Sequence, residues 1–198
     1  MKIPRLVIVG GKLALICTVA AVVLALVNAV TAPVIIENRE RALAEGLAAV
    51  AAQSGVAGVQ VGEAQPTTDS QVVTTAYPMT SPGGAGVGFI LQLVGNGYGG
   101  DMQLLAGYLE NGELFSARMM ENQETPGLGK KAESPAYMLM YVGHGAATRI
   151  PTSKNDLPAE QVDSITGATI TFLGVGRALA EGSGFVKTLG VEPAGGTQ

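Results

Sequence analysis

Residues 102–120 read MQLLAGYLENGELFSARMM, and the middle of this stretch decides the fold. Asn111-Gly112 lies between two β-prone runs, 102–109 and 114–120. An Asn-Gly pair in that setting is the strongest short-range hairpin signal, because a type I′ turn needs positive φ at both central positions. An antiparallel hairpin is therefore expected here. Two more β-prone runs, 72–77 and 87–93, precede it and are bounded by Gly, Pro or Asn. Upstream, residues 54–68 are rich in Gly, Gln, Pro and Thr and read as a linker with one strand near 56–61. Downstream, 136–141 reads as either strand or short helix, and 168–181 as a helix ended by Gly182. No βαβ alternation and no internal repeat interrupts this order. The expected class is α+β, an antiparallel sheet with flanking helices.

Residues 13–30 carry no charge, and Pro33, Val34, Ile35 and Ile36 prolong the apolar run. That supplies the roughly 20 residues needed to cross ~30 Å of hydrocarbon, so an N-terminal transmembrane helix is expected. Lys2, Arg5, Lys12 and the amino terminus precede it, whereas Arg39 and Arg41 after it are interleaved with Glu37 and Glu40. The positive-inside rule then leaves the N-terminus in the cytoplasm and the C-terminal domain outside. A cleaved signal peptide is the rival reading, since Val30-Thr31-Ala32 offers small residues, but the run exceeds the roughly 7 to 15 residues of an h-region. Residues 37–53 favour helix, with Leu43, Leu47 and Val50 on one face, as a juxtamembrane stalk. The expected organisation is an anchor at 1–36, a juxtamembrane helix and linker at 37–70, and an extracytoplasmic domain at 71–198.

Composition narrows the function. The chain has 198 residues and a formal charge of -4, with no Lys/Arg cluster beyond the N-terminus. Nucleic-acid binding needs several phosphate-neutralising cations on one face, so that class is set aside. Cys17 is the sole cysteine and lies in the apolar run, which excludes an internal disulfide, a cysteine metal site or a thiol pair. Redox chemistry here requires a bound cofactor. His144, the lone histidine, reads as structural or surface.

Residues 163–171, DSITGATIT, carry the most chemical information. They read as a helix start. Thr166 is positioned to cap, Gly167 and Ala168 add little bulk, and Thr169 falls in the first turn, where free N–H groups and the helix dipole favour an anion such as phosphate. On spacing alone an ordinary helix cap is the better explanation of the pattern.

Asp163-x-x-Thr166-Gly167-Ala168-Thr169 resembles the flavin-attachment motif of the FMN-binding domain family, which includes the G subunit of Rnf complexes and the C subunit of the sodium-pumping NADH:quinone reductase. The resemblance implies covalent FMN, held as a phosphoester on the Thr169 hydroxyl and installed by a flavin transferase with FAD as donor. Asp163 would serve recognition by that transferase. Gly97-Tyr98-Gly99-Gly100-Asp101-Met102 is similar to the family's glycine-rich turn, and Glu124-Thr125-Pro126-Gly127-Leu128-Gly129 to its most recognisable loop. The glycines, Gly99 and Gly100 among them, would let backbone N–H groups approach a planar ring on which Tyr98 could pack. Pro126, Gly127 and Gly129 predict a compact, rigid loop. Glu124 and Thr125 would meet the polar edge of the ring, and Lys130 would raise the flavin potential. Two positions depart from the family pattern. Asn122 stands where a His often precedes the loop, and Phe172 replaces a small hydroxyl residue, which predicts a more apolar surface beside Thr169.

The resemblance covers roughly 77–182 together with the anchor and stalk. The short distance from anchor to flavin motif looks more like the Rnf branch. It implies an electron-carrying subunit of an ion-translocating ferredoxin:NAD+ oxidoreductase, with the other membrane subunits, the flavin transferase and membrane lipid as partners. Two alternatives remain at this point: an anchored extracytoplasmic binding or assembly module without a redox role, and an FMN-tethered electron-transfer domain of another membrane reductase.

Overall fold

The computed structural model describes residues 5–68 and 70–189. Lys2 and the amino terminus, invoked above for orientation, and residues 190–198, assigned above to the domain, lie outside them. The chain divides into two compact units, Met1–Leu43 and Ala44–Gln198.

Helix α1 (Arg5–Ala51) includes Pro33 within its length. Among the described residues it is the one helix long and apolar enough to cross a membrane, and its most apolar window has a mean hydropathy of 2.7 with no residue buried inside the protein. Leu13, Ile16, Val23, Leu26 and Val30 all present their side chains outward. Such a surface is stable only in a non-aqueous environment or against another apolar surface.

The second unit is an antiparallel sheet. Its strands are β1 (Gln60–Val61), β2 (Gln65–Pro66), β3 (Val73–Thr80), β4 (Gly86–Asn96), β5 (Asp101–Leu109) and β6 (Leu114–Glu121), in the order β1-β3-β4-β5-β6 with β2 also paired to β3. Each of the four expected runs forms a strand, and the linker strand forms at Gln60–Val61. The two faces are separated by alternation. Leu104, Ala106 and Tyr108 of β5, with Leu91 and Leu93 of β4, join one core with Phe172, Val175, Leu179 and Val186 of helix α4 (Thr169–Leu189). The opposite face of β5 carries Leu105 and Gly107. A Cβ placed on Gly46 would lie 2.7 Å from Leu105 Cδ1, and one on Gly107 2.7 Å from Val50 Cγ1, so the last turns of α1 pack closely there. β5 is thus covered on both sides, which is why its central residues are buried without alternation.

The Asn111-Gly112 hairpin is present, but not as a type I′ turn. Among the described residues positive φ is confined to glycines, with Gly112 at +82°, so Asn111 does not adopt it. The Gly112 N–H donates to the Leu109 carbonyl and the Leu109 N–H to the Glu113 carbonyl, which makes a three-residue loop with glycine alone in the left-handed region. Tertiary contacts select it: the Ser183 hydroxyl of α4 donates to the Gly112 carbonyl at 2.7 Å.

Residues 136–141 resolve into a single helical turn, α2 (Pro135–Met138), followed by turns. The final helix does not end at Gly182. It continues to Leu189, and Gly182 lies inside it, with a site for Cβ only 2.6 Å from Tyr108 Oη. Tyr108 is fully buried and donates to the Leu179 carbonyl at 2.8 Å. Gly182 therefore serves close approach of an aromatic ring rather than termination. Gly182→Ala is expected to destabilise the domain by about 1–3 kcal/mol, the usual cost of overpacking, even though alanine is the better helix former. Chemical denaturation would measure this, and a stabilised variant would refute it.

Candidate functional site

Two β-turns face each other across a cleft. In the first, the Leu128 N–H donates to the Thr125 carbonyl at 3.1 Å, with Pro126 second and Gly127 third at φ +78°. In the other, the Ala168 N–H donates to the Ile165 carbonyl at 3.0 Å, with Thr166 second at φ -62°, ψ 128° and Gly167 third at φ +82°. Both follow the type II pattern, whose third residue needs positive φ, so Gly127 and Gly167 are required by backbone geometry. The turns touch: a Cβ on Gly167 would come within 3.0 Å of Leu128 Cδ2. The compact 124–129 loop expected from its proline and glycines is thus present.

The second turn delivers the chain into α4, whose first residue is Thr169. The Phe172 N–H reaches back to the Ala168 carbonyl, so Ala168 occupies the cap position. Thr166 does not cap α4; its hydroxyl donates to the Val162 carbonyl at 3.2 Å, at the end of the short helix α3 (Ala159–Val162). The three threonines differ in a way that spacing does not reveal. Thr166 is engaged upstream, and Thr171, almost fully buried, donates to Glu124 Oε2 at 2.6 Å. Thr169 is half-buried, lines the cleft, and makes no side-chain hydrogen bond among the described residues.

The cleft has a volume of about 390 Å³ and is lined by Tyr98, Glu124, Thr125, Leu128, Gly129 and residues 167–171. That volume lies in the range of small-molecule and cofactor sites. Tyr98, Ile170 and Leu128 are 74%, 51% and 43% exposed. Large apolar side chains left open around a first-turn hydroxyl suit a ligand with an apolar planar body and an anionic end.

Of the site residues expected from the sequence, Glu124, Thr125, Leu128, Gly129, Gly167, Ala168 and Thr169 converge on this cleft. Asp163, Thr166, Gly99, Gly100, Gly127 and Lys130 are not among its lining. Asp163 is exposed at the start of the 3-10 turn Asp163–Ile165. Lys130 pairs with Glu133 at 3.1 Å on the surface, and this partner offsets the charge expected to raise a flavin potential. Glu133 also accepts from Asn122 Nδ2 at 2.9 Å, and these hydrogen bonds, with the Lys130 charge, hold its carboxyl below the usual range. Asn122 Oδ1 accepts the Glu124 N–H at 3.0 Å, so this position braces the loop.

The glycine-rich turn also has a different task from the expected one. The Gly97 N–H donates to the Gly100 carbonyl, and the Gly99 N–H to Glu124 Oε1 at 2.9 Å. These groups are spent within the protein. Phe172, expected to make the surface beside Thr169 more apolar, is fully buried and stacked on Tyr141, with centroids 5.6 Å apart and planes at 19°. The helix turns it toward the sheet, away from the cleft. Tyr141 donates to the Phe172 carbonyl at 3.0 Å, and burial pushes its hydroxyl far above the ordinary tyrosine range. His144 lies at a surface turn with Thr148 Oγ1 3.0 Å from its Nδ1, away from the cleft.

Residues 97–182 match the model of the FMN-binding domain. The match begins at the glycine-rich turn and ends inside α4, so it contains the whole cleft. The G subunit of the Na(+)-translocating ferredoxin:NAD(+) oxidoreductase complex of Acetobacterium woodii is 30% identical over an alignment of 176 residues that covers 82% of each chain. The chain belongs to the G-subunit family of Rnf, or ion-translocating oxidoreductase, complexes. Other relatives are G subunits of ion-translocating oxidoreductase complexes. One from Shewanella piezotolerans is 31% identical over 111 residues (52% of each chain), and one from Escherichia coli K12 is 34% identical over 99 residues (48% of this chain and 47% of that one). The chain thus spans about half the length of these last two relatives.

The cleft fits the FMN that the family's domain implies. It supplies a first-turn hydroxyl, free helix N–H groups for a phosphate and open apolar side chains for a ring. This α+β homologue of the Rnf G subunits therefore carries an FMN-binding domain after an N-terminal helix suited to a membrane.

Proposed function

We propose that this chain holds FMN as a phosphoester on Thr169 and relays electrons within an ion-translocating ferredoxin:NAD+ oxidoreductase. The observation carrying this reading is that Thr169 alone among the three motif threonines has an uncommitted hydroxyl, and it lies on the cleft. In the attachment reaction the Thr169 oxygen would displace AMP from FAD, giving its proton to a base of the flavin transferase and leaving FMN esterified. Gly167 and Ala168 leave room for that second enzyme. Once bound, FMN supplies the electron-accepting and electron-donating chemistry.

The residues of this chain tether and orient the cofactor. Thr169 fixes the phosphate end at the positive end of α4, and Tyr98, Leu128 and Ile170 offer apolar surface to the ring. Thr125 presents a polar group at the cleft's edge, and Asp163, exposed upstream, is available to the transferase. Tethering keeps the cofactor at high effective concentration where a dissociated one would be diluted away. The family membership supports the partners: the other membrane subunits of the complex in use, the flavin transferase in maturation and lipid around residues 1–36. With the unit from Ala44 onward, which includes β1 and β2, outside the membrane, the N-terminal cations would keep that end cytoplasmic.

The test is flavin fluorescence in a denaturing gel, with peptide mass mapping, on the chain produced beside a flavin transferase. A fluorescent band whose FMN mass maps to the Thr169 peptide is expected. A dark band despite an active transferase would refute the reading.

A further inference from the structure

Glu124 is a buried carboxylate, 4% exposed, with an unusual enclosure. Oε1 accepts the Gly99 N–H at 2.9 Å and Oε2 the Thr171 hydroxyl at 2.6 Å. Its own N–H is held by Asn122. One side chain therefore joins the glycine-rich turn, the 124–129 loop and the start of α4, segments up to 47 residues apart. Glycines form the walls: a Cβ on Gly97 would lie 2.2 Å from Oε1, and one on Gly129 2.2 Å from Oε2. Two of the motif glycines thus make room for this carboxylate. Both oxygens accept hydrogen bonds, one from a backbone N–H and one from a hydroxyl. A negative charge buried to this degree is screened weakly and acts on whatever shares its surroundings. Burial, opposed by the neighbouring Tyr141 hydroxyl and reinforced by the Glu124 charge, pushes the Tyr137 hydroxyl up to about 12.

We infer that Glu124 is a positioning residue whose buried charge sets the cofactor's reduction potential low while its two hydrogen bonds hold the cleft together. The inference rests on FMN being held in this cleft. Glu124 lines it together with Thr169, and adding an electron beside a fixed anion is disfavoured. The effect is opposite in sign to that expected of Lys130, whose charge is paired at the surface.

Two substitutions separate charge from shape. Glu124→Gln keeps the length of the side chain; its oxygen can accept from Gly99, and its amide can donate to Thr171, whose hydroxyl reverses its role. Glu124→Asp keeps the charge but shortens the reach. The experiment is a redox titration and thermal melt of the full chain in detergent, loaded with flavin beside its transferase. Glu124→Gln is expected to raise the potential by a tenfold or greater change in the reduction equilibrium, about 59 mV for a one-electron couple. Glu124→Asp is expected to melt earlier while keeping a low potential.

A merely structural Glu124 would leave the potential of the Gln variant unchanged, and that result overturns the inference. Absence of flavin from the unaltered chain is a different outcome and refutes the FMN reading beneath it. If the Gln variant fails to fold or load, redox-difference infrared spectra with isotopically labelled glutamate, compared between the unaltered protein and Glu124→Asp, which lacks the labelled carboxylate at that position, read the same group. A label-sensitive carboxylate band is expected, and its absence overturns the inference.

Discussion

Thr169→Ala is expected to give a folded protein that carries no covalent flavin. The residue opens α4, where alanine is the best helix former, and its side chain is half-buried without a hydrogen bond to lose. The change in stability should stay within about 0.5 kcal/mol, as for ordinary partly exposed positions. The neighbouring threonines cannot take over. Thr166 is exposed but lies off the cleft with its hydroxyl donating to the Val162 carbonyl, and Thr171 is buried against Glu124. Thr169→Ser, which keeps the oxygen, is expected to retain attachment. Peptide mass mapping and gel fluorescence read both variants, and a thermal melt establishes that the alanine variant is folded. Covalent flavin retained in Thr169→Ala would remove Thr169 from the mechanism.

Phe172→Ala carries the largest expected cost in stability. The ring is fully buried, stacked on Tyr141 and packed into the core shared by α4 and the sheet. Removing a buried aromatic ring leaves a cavity and costs about 3–5 kcal/mol. Against a typical total of about 5–15 kcal/mol, that is roughly a fifth or more of what holds a domain together. The melting temperature should fall on the order of 10 °C. The neighbouring Thr171, whose hydrogen bond anchors Glu124, should loosen as well, so flavin loading is expected to fall with stability. Urea denaturation measures the first effect, and a loss below about 1 kcal/mol would show that the site collapses around the cavity or that Phe172 contributes little. Phe172→Leu, which refills much of the volume, should recover most of the loss.

The two substitutions are three residues apart on one helix and act on different properties because α4 has two faces. Thr169 and Ile170 border the cleft, while Phe172, Val175 and Leu179 enter the core. Those positions follow the three-to-four residue period of an amphipathic helix. The helix that stabilises the sheet also presents Thr169, the proposed attachment residue.

Much of this was legible in local sequence. A hairpin at Asn111-Gly112, four strands in order, a long N-terminal helix with an uncharged middle and a helix with Thr169 in its first turn all depend on neighbours within a few residues: turn propensity, alternation and charge. The flavin motif was equally local, since its spacing, Gly167 and Thr169 lie within seven residues, 163–169. What local sequence left open was decided by contacts between distant segments. The hairpin's turn type depended on α4 docking against Gly112, and the helix ran through Gly182 because Tyr108 fills the space a side chain would take. Phe172 proved to be core rather than surface once α4 lay on the sheet. Glu124 proved to be a strut because its partners are 25 and 47 residues away. Propensity and spacing act along the chain, so they set which elements form; burial and the pairing of buried polar groups act through space, so only the assembled tertiary structure decides which face turns inward and which side chain is left free for chemistry.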